Sequence, residues 1–255
     1  MASIGVLSTP ASRAQTPTEP VPGQPGKDVV WVPTQPAVIE KMLDMAQVTP
    51  RDFVVDLGSG DGRNVIAAAK RGARALGIEY DHNLVELSRK LARDAGVSDK
   101  ARFVQGDMYK ADISEASVLA LFLTPETLDE MRDKFLAMKP GSRIVLNTFP
   151  VTDWEPDLTE TIGPPCKAYC TAMLVIVPAR VAGTWRMGGA AMTLRQDFQF
   201  VRGTIGPEKV EGRLRGDQIS FKAGETQYSG VVTANRMEGE AQTGATRSNW
   251  AAVRQ

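Results

Sequence analysis

Histidine is almost absent from this chain and cysteine is scarce: 255 residues contain one His and two Cys. His82 has no second His or Cys at metal-ligand spacing, so the sequence offers no zinc-type site, and His82 reads as a surface or cap residue rather than a base. Cys166 and Cys170 stand four apart. In an extended strand their Cα atoms would be about 13 Å apart, beyond disulfide reach, whereas a turn would bring them together. The pair therefore leaves the redox compartment open. Net charge is missing too, with 30 basic residues against 30 acidic, which argues against nucleic acid as a partner. The C-terminal segment 179–255 is mildly basic, 11 bases against 7 acids, a balance that suits a solvated surface. No apolar run is long enough for a transmembrane helix.

Against these absences stands one dense stretch, Phe53-Val54-Val55-Asp56-Leu57-Gly58-Ser59-Gly60-Asp61-Gly62, with Glu79 closing a second apolar run 23 positions after Asp56. An apolar run ending in an acid, then Gly-x-Gly-x-Gly, suits a buried strand whose chain must turn sharply beneath a nucleoside and enter a helix. Glycines there let the backbone take positive φ and approach a ligand closely. The dinucleotide fingerprint G-x-G-x-x-G needs a third glycine where this chain has Arg63. An acid two residues before the first glycine would also repel a pyrophosphate, but it suits a cationic sulfonium amino acid. VVDLGSGDGR thus resembles motif I of the class I S-adenosylmethionine-dependent methyltransferases.

Beyond the glycine turn the chain keeps an alternating plan. A short helix over 64–70 stops at Gly72, and a strand over 73–78 delivers Glu79 to the edge that holds Asp56. A carboxylate there can accept both ribose hydroxyls, and Tyr80 offers a flat face for adenine. Asp81 reads as the N-cap of a helix over 83–95 carrying Leu84, Leu87 and Leu91. A strand over 101–105 leads to Gly106-Asp107-Met108. On spacing alone Asp107 is a loop cap or an acceptor for the adenine amino group; the resemblance implies the second. Residues 118–123 form a continuous apolar run, as expected of a central strand covered on both faces. Thr124 caps and Pro125 opens a helix with Leu128, Met131, Phe135 and Leu136 as its buried stripe, ended by Lys139-Pro140-Gly141. A fifth strand spans 143–147. Strands alternating with helices predict an α/β fold: a doubly wound, mostly parallel sheet with its ligand at the carboxyl ends of the strands.

The resemblance covers residues 31–157 and narrows further. Trp31-Val32-Pro33-Thr34-Gln35-Pro36 precedes a helix carrying Val38, Ile39, Met42 and Leu43, and Asn147-Thr148-Phe149-Pro150 is followed by Asp153-Trp154-Glu155-Pro156. Both segments are similar to the mitochondrial lysine methyltransferases that act on the c-subunit of ATP synthase and on the adenine nucleotide translocase, and to their bacterial relatives. This chain departs from the mitochondrial proteins in its C-terminal segment and in lacking a membrane-spanning helix. The resemblance implies S-adenosylmethionine as cofactor, with Thr34, Asp56, Gly58, Ser59, Gly60, Gly62, Glu79, Tyr80, Asp107 and Met108 as its binding residues. It implies in-line methyl transfer to an amine, a protein lysine first and a small amine second. A cofactor-binding module without transfer activity, whose β tail engages a partner, is the reading of a different class. The usual amine-site string of Asn or Asp, two prolines and an aromatic is missing after the fourth strand, where Thr124 and Pro125 stand, so no catalytic base is named. Phe149, Asp153 and Trp154 are substrate-side candidates, Trp154 being equally suited to packing as a loop aromatic.

Residues 1–30 hold five prolines and little periodicity and read as a disordered arm. Ala2 to Leu7 followed by Ser12-Arg13-Ala14 resembles the back half of a secretory signal without its basic start. A cytoplasmic location is expected, because the methyl donor is made there, with export as the alternative. Residues 31–178 are assigned to the methyltransferase domain and 179–255 to a small antiparallel β unit, a sheet or partial barrel. Strands are expected at 183–185, 192–201, 209–215, 218–222, 227–233 and 249–253, with turns at Gly216-Asp217 and Asn235-Arg236.

Overall fold

The computed structural model describes residues 32–255; the arm expected over 1–30, and Trp31 of the pre-helix segment, lie outside the described residues. Five parallel strands form the heart of the first sheet: β1 (Phe53–Leu57), β2 (Arg74–Glu79), β3 (Ala101–Gln105), β4 (Val118–Leu121) and β5 (Arg143–Asn147). β6 (Leu158–Thr161) and β7 (Thr171–Ile176) extend it antiparallel, giving the order β3-β2-β1-β4-β5-β7-β6. β7 lies beside β5 and β6 forms the edge, a strand the sequence does not announce because Leu158-Thr159-Glu160-Thr161 is short and mostly exposed.

The unbroken apolar runs divide between two faces with period two. Val54, Val118 and Ala120 join Val145 in one core cluster with Val38, Met42 and Leu43 of α1 (Pro36–Met45), Val65 of α2 (Arg63–Lys70) and Val85 of α3 (His82–Asp94). Val55, Leu57, Leu119 and Leu121 join Leu128 of α4 (Pro125–Glu130) and Phe135 of α5 (Arg132–Leu136) in the other. Both faces are therefore covered, as a parallel sheet requires. α4 and α5 replace the single helix expected there: the chain breaks at Met131, at φ −93° and ψ 1°. Met131 stays buried, so the stripe Leu128, Met131, Phe135 still faces the core. The strand order reverses at β1, between β2 and β4, which places the ligand crevice of such sheets at the carboxyl ends of these strands.

The C-terminal strands close into an eight-stranded antiparallel barrel. In chain order they are β8 (Gly183–Met187), β9 (Ala190–Asp197), β10 (Phe200–Ile205), β11 (Glu208–Arg215), β12 (Gln218–Ala223), β13 (Thr226–Thr233), β14 (Arg236–Thr243) and β15 (Thr246–Arg254). Each pairs with its successor, and β15 returns to β8 with Ala252 opposite Met187. Trp185, Leu214, Phe221, Met237 and Trp250 are among the side chains of its core, as expected where eight strands leave an interior just wide enough for side chains. The single strand expected over 192–201 is two strands joined at Phe198-Gln199, with Asp197 opposite Phe200. No glycine marks that turn. Phe198 takes φ 47° itself, and its ring stacks on Trp154 at 5.2 Å. That stack joins the barrel to the first sheet. Arg213 also bridges to Asp157 at 3.1 Å, and Gln199 Nε2 donates to the Glu155 carbonyl at 2.7 Å.

Candidate functional site

The turn after β1 is defined by backbone conformation. Gly58, Gly60 and Gly62 stand at φ 71°, 56° and 79°, and Gly62 is the left-handed N-cap of α2. A Cβ at Gly62 would lie 2.4 Å from the Phe103 ring, so no side chain fits there. At Gly58 it would meet Leu123 at 3.3 Å and the Met108 sulfur at 3.8 Å, which places both side chains against the turn. Gly58 N and Ser59 N donate to the Ile78 carbonyl at 2.8 and 3.1 Å, tying the turn to β2.

β2 also delivers Glu79. Its two carboxylate oxygens accept from Gly60 N and Asp81 N, each at 2.9 Å, so one side chain braces the glycine turn and the start of α3. Asp81 in turn accepts from Asn83 N at 2.8 Å, as an N-cap should. Asp56 is buried in β1 and accepts from Asn64 Nδ2 at 3.1 Å. Burial raises its pKa well above the ordinary aspartate value, the Asn64 hydrogen bond opposes the shift, and the Glu79 and Asp61 charges add to it. Such a carboxyl gains most from a nearby positive charge. Ser59 Oγ and Asn64 Oδ1 are both buried and have no hydrogen-bond partner among the described residues. A raised carboxyl held by Asn64, beside a turn whose Gly58, Gly60 and Gly62 carry no Cβ, forms a cradle fitted to a cationic amino acid joined to a nucleoside.

Around this cradle the remaining candidates separate. Tyr80 is 77% exposed beside Glu79. Asp107 accepts from Tyr109 N at 2.9 Å and pairs with Lys110 at 3.2 Å; these contacts hold its carboxyl below the usual range. It thus caps its loop in this structure, one of the two roles that spacing alone left open. Thr34 is buried, its carbonyl accepting from Arg63 Nη1 at 2.9 Å and its hydroxyl from Asn147 Nδ2 at 3.4 Å. This brings the pre-α1 segment to the ends of β1 and β5. Phe149 is half-buried at the same edge, and exposed Asp153 sits at φ 64°. Trp154 is corrected: it is 1% exposed and covered by Phe198, so it packs between sheet and barrel and presents no face to a substrate.

Sequence reading missed several contributors. Asn64 is a polar residue in an otherwise apolar helix face, eight positions after Asp56, and that was a usable signal. Lys134 of α5 donates to the carbonyls of Met108 at 3.2 Å and Tyr109 at 2.7 Å, clamping the Asp107 loop; nothing local in the sequence announces it. Cys166 and Cys170 form a disulfide with Cα atoms 5.9 Å apart, because the chain turns between them. The loop they close carries Tyr169 and is held to the pre-α1 segment by Gln35 Nε2 donating to the Ala168 carbonyl at 2.7 Å.

A doubly wound sheet whose first strand ends in a buried acid and a left-handed glycine turn, with a second carboxylate at the end of the next strand, defines a Rossmann-like methyltransferase. Comparison with known proteins narrows the class. The ANTKMT methyltransferase domain model matches residues 56–158. A protein-lysine N-methyltransferase of Saccharolobus islandicus is 36% identical over 131 residues, spanning 50% of this chain and 81% of that protein. The Mus musculus ATP synthase C-subunit lysine N-methyltransferase is 37% identical over 134 residues, 52% of this chain and 54% of its own. A Salinibacter ruber chain described as an RNA methyltransferase, crystallised with S-adenosyl-L-homocysteine, is 41% identical with a TM-score of 0.55, over 59% of this chain and 96% of that one. The chain belongs to the ANTKMT-type family of S-adenosylmethionine-dependent methyltransferases, and S-adenosylmethionine is its cofactor. Among the described residues no helix is long and apolar enough to cross a membrane.

Proposed function

We propose that this chain moves a methyl group from S-adenosylmethionine to the ε-amine of a lysine in a protein substrate. The observation that carries the reading is the paired carboxylates at the ends of β1 and β2, Asp56 buried with raised proton affinity and Glu79 braced across the glycine turn. In this assignment Asp56, Ser59 and the backbone of residues 58–62 take the cationic amino-acid end. Glu79 takes the ribose hydroxyls, Tyr80 and Met108 flank the adenine, Asp107 receives its amino group, and Thr34 closes the edge. Bound there, the cofactor supplies an electrophilic methyl on a positive sulfur with a good thioether leaving group, so alignment and exclusion of water are the protein's main task. A neutral amine would attack in line with its lone pair, the C–N bond forming as the C–S bond breaks, and the surplus proton would leave nitrogen for water, with a backbone carbonyl able only to accept a hydrogen bond from it. Free lysine has a pKa of about 10.4, and desolvation at the site lowers it toward the reactive neutral form.

Lysine as acceptor is supported by the names of the archaeal and mouse relatives. An RNA acceptor is the second reading, favoured by the description of the Salinibacter chain and opposed by the balanced charge of this one. The deciding experiment supplies methyl-labelled cofactor with separate protein and RNA fractions of a cell extract. Label recovered as methyl-lysine is the expected result, and label in RNA alone overturns the acceptor. A protein that S-adenosylhomocysteine stabilises against heat, NAD does not, and that labels neither fraction is a binding module without transfer.

A further inference from the structure

Three aromatic side chains meet where β4, β5 and β7 reach the cofactor edge. Phe122 follows β4 directly, Phe149 stands two residues past β5, and Tyr169 two residues before β7. Because β7 runs antiparallel to β5, with Asn147 opposite Ala172, the start of one lies beside the end of the other. Ring centroids are 6.2 Å apart for Phe122 and Phe149, 5.2 Å for Phe122 and Tyr169, and 6.1 Å for Phe149 and Tyr169. The two phenylalanines are half-buried and Tyr169 is 43% exposed, so the cluster is a wall with one open side. It adjoins the cofactor turn, since Leu123, next to Phe122, reaches within 3.3 Å of a Cβ built on Gly58.

The chain holds these rings at the surface against local preference. Thr148 and Tyr169 stand at φ 65° and 57°, conformations uncommon outside glycine. Thr148 N donates to the Thr171 carbonyl at 2.7 Å, and the Tyr169 loop is closed by Cys166–Cys170.

We infer that Phe122, Phe149 and Tyr169 form the acceptor wall, which takes an alkylammonium side chain of the lysine type with its four-carbon stem along the rings and its nitrogen toward Gly58. This rests on the amine-transfer reading above. An aliphatic stem packs on apolar ring surface, and ring faces attract the ammonium before transfer and the methylammonium after it. The wall suits a nucleobase less well. A base stacks best on parallel faces, yet Tyr169 is tilted 58° and 60° to its neighbours, and the near-parallel pair Phe122 and Phe149 stands too close to admit a ring between them.

The test uses the full chain saturated with S-adenosylhomocysteine, ring-labelled at Phe and Tyr, and titrated with n-butyltrimethylammonium or with oligouridylate while the ring resonances are followed by NMR. The alkylammonium should shift Phe122 and Tyr169. Tyr169→Leu should weaken that binding about two- to fivefold, the range of an exposed cation–π contact, while Tyr169→Phe restores it and cofactor affinity holds in both. Ring shifts with oligouridylate alone, or none with either probe, overturn the wall. The two readings fail separately. Ring shifts from the alkylammonium in a protein that yields no methyl-lysine overturn the lysine acceptor and keep an amine site, whereas methyl-lysine formed with an unchanged KM in Tyr169→Leu overturns the wall alone.

Discussion

The Glu79 carboxylate is committed to two backbone donors, Gly60 N–H and Asp81 N–H, so removing it acts on the turn as well as on a ribose. Charge-assisted hydrogen bonds contribute about 1.5–3 kcal/mol. Glu79→Ala should therefore lower S-adenosylhomocysteine affinity at least about tenfold by calorimetric titration, with Glu79→Gln between it and the unaltered chain. Unchanged affinity in the alanine variant would remove Glu79 from the site. At the opposite edge of the sheet Asp52 ties three strand starts together, accepting from Thr49 N at 2.8 Å and Ser117 Oγ at 2.8 Å and pairing with Arg143. Burial pushes its pKa up, but these partners outweigh burial and hold it below the ordinary aspartate value. Because the folded pKa is the lower one, the contribution to stability is complete above the unfolded value and is lost as pH falls through the folded one. Asp52→Asn should cost about 3 kcal/mol at neutral pH, and its melting temperature should converge on that of the unaltered chain as the solution is acidified below the aspartate range. A constant gap across that range would show that Asp52 acts through shape alone.

At the scale of elements, the loop between β6 and β7 is the piece whose behaviour is most separable from the core. Closing so short a loop restrains the unfolded chain by about 2 kcal/mol in the entropic account. Replacing Cys166 and Cys170 by Ser should lower the melting temperature modestly and loosen Tyr169, raising acceptor KM with cofactor affinity unchanged; a fall in cofactor affinity instead would mean the loop shapes the nucleoside site. The elements legible in sequence were those whose own side chains determine them. β5 matches its expected bounds because its apolar run is buried, β3 does so because Ala101 and Phe103 are, and β1 begins at Phe53 and runs one residue past the acid expected to end it. Asp81 and Thr124 cap α3 and α4 because their side chains reach the first-turn N–H groups. The glycine turn and its two carboxylates were legible for the same reason. β14 was not. Met237-Glu238-Gly239-Glu240-Ala241 lacks strand-forming side chains, and the strand is set by its neighbours: Gly239 faces Gly230, and a Cβ on Gly239 would fall 2.0 Å from the Ser229 carbonyl oxygen. Likewise the Phe198 turn and the Lys134 clamp depend on partners far away in the chain, Trp154 and the Met108 carbonyl.

At the scale of the whole molecule, the first sheet and the barrel share a boundary built on Trp154 against Phe198 and on Asp157, whose carboxylate takes Arg213 and Ile176 N. The Salinibacter chain matches 59% of these residues with 96% of its own, so a relative of this fold stands without the rest. A chain ending at Pro178 should accordingly fold and bind S-adenosylhomocysteine, with a lowered melting temperature from the bared Trp154 and with loss of transfer to its protein acceptor. Full transfer would assign the barrel to another partner, and failure to fold would make the two parts one unit. The barrel has its own consequence for biosynthesis. Every strand from β8 to β14 pairs with the next one made, but the seam between β8 and β15 waits for the final strand. Until Thr246–Arg254 has left the ribosome, the nascent barrel is an open sheet with two unpaired edges, the geometry that invites strand exchange between molecules. A premature stop just before Thr246 would leave the cofactor turn untouched and still yield a protein that aggregates.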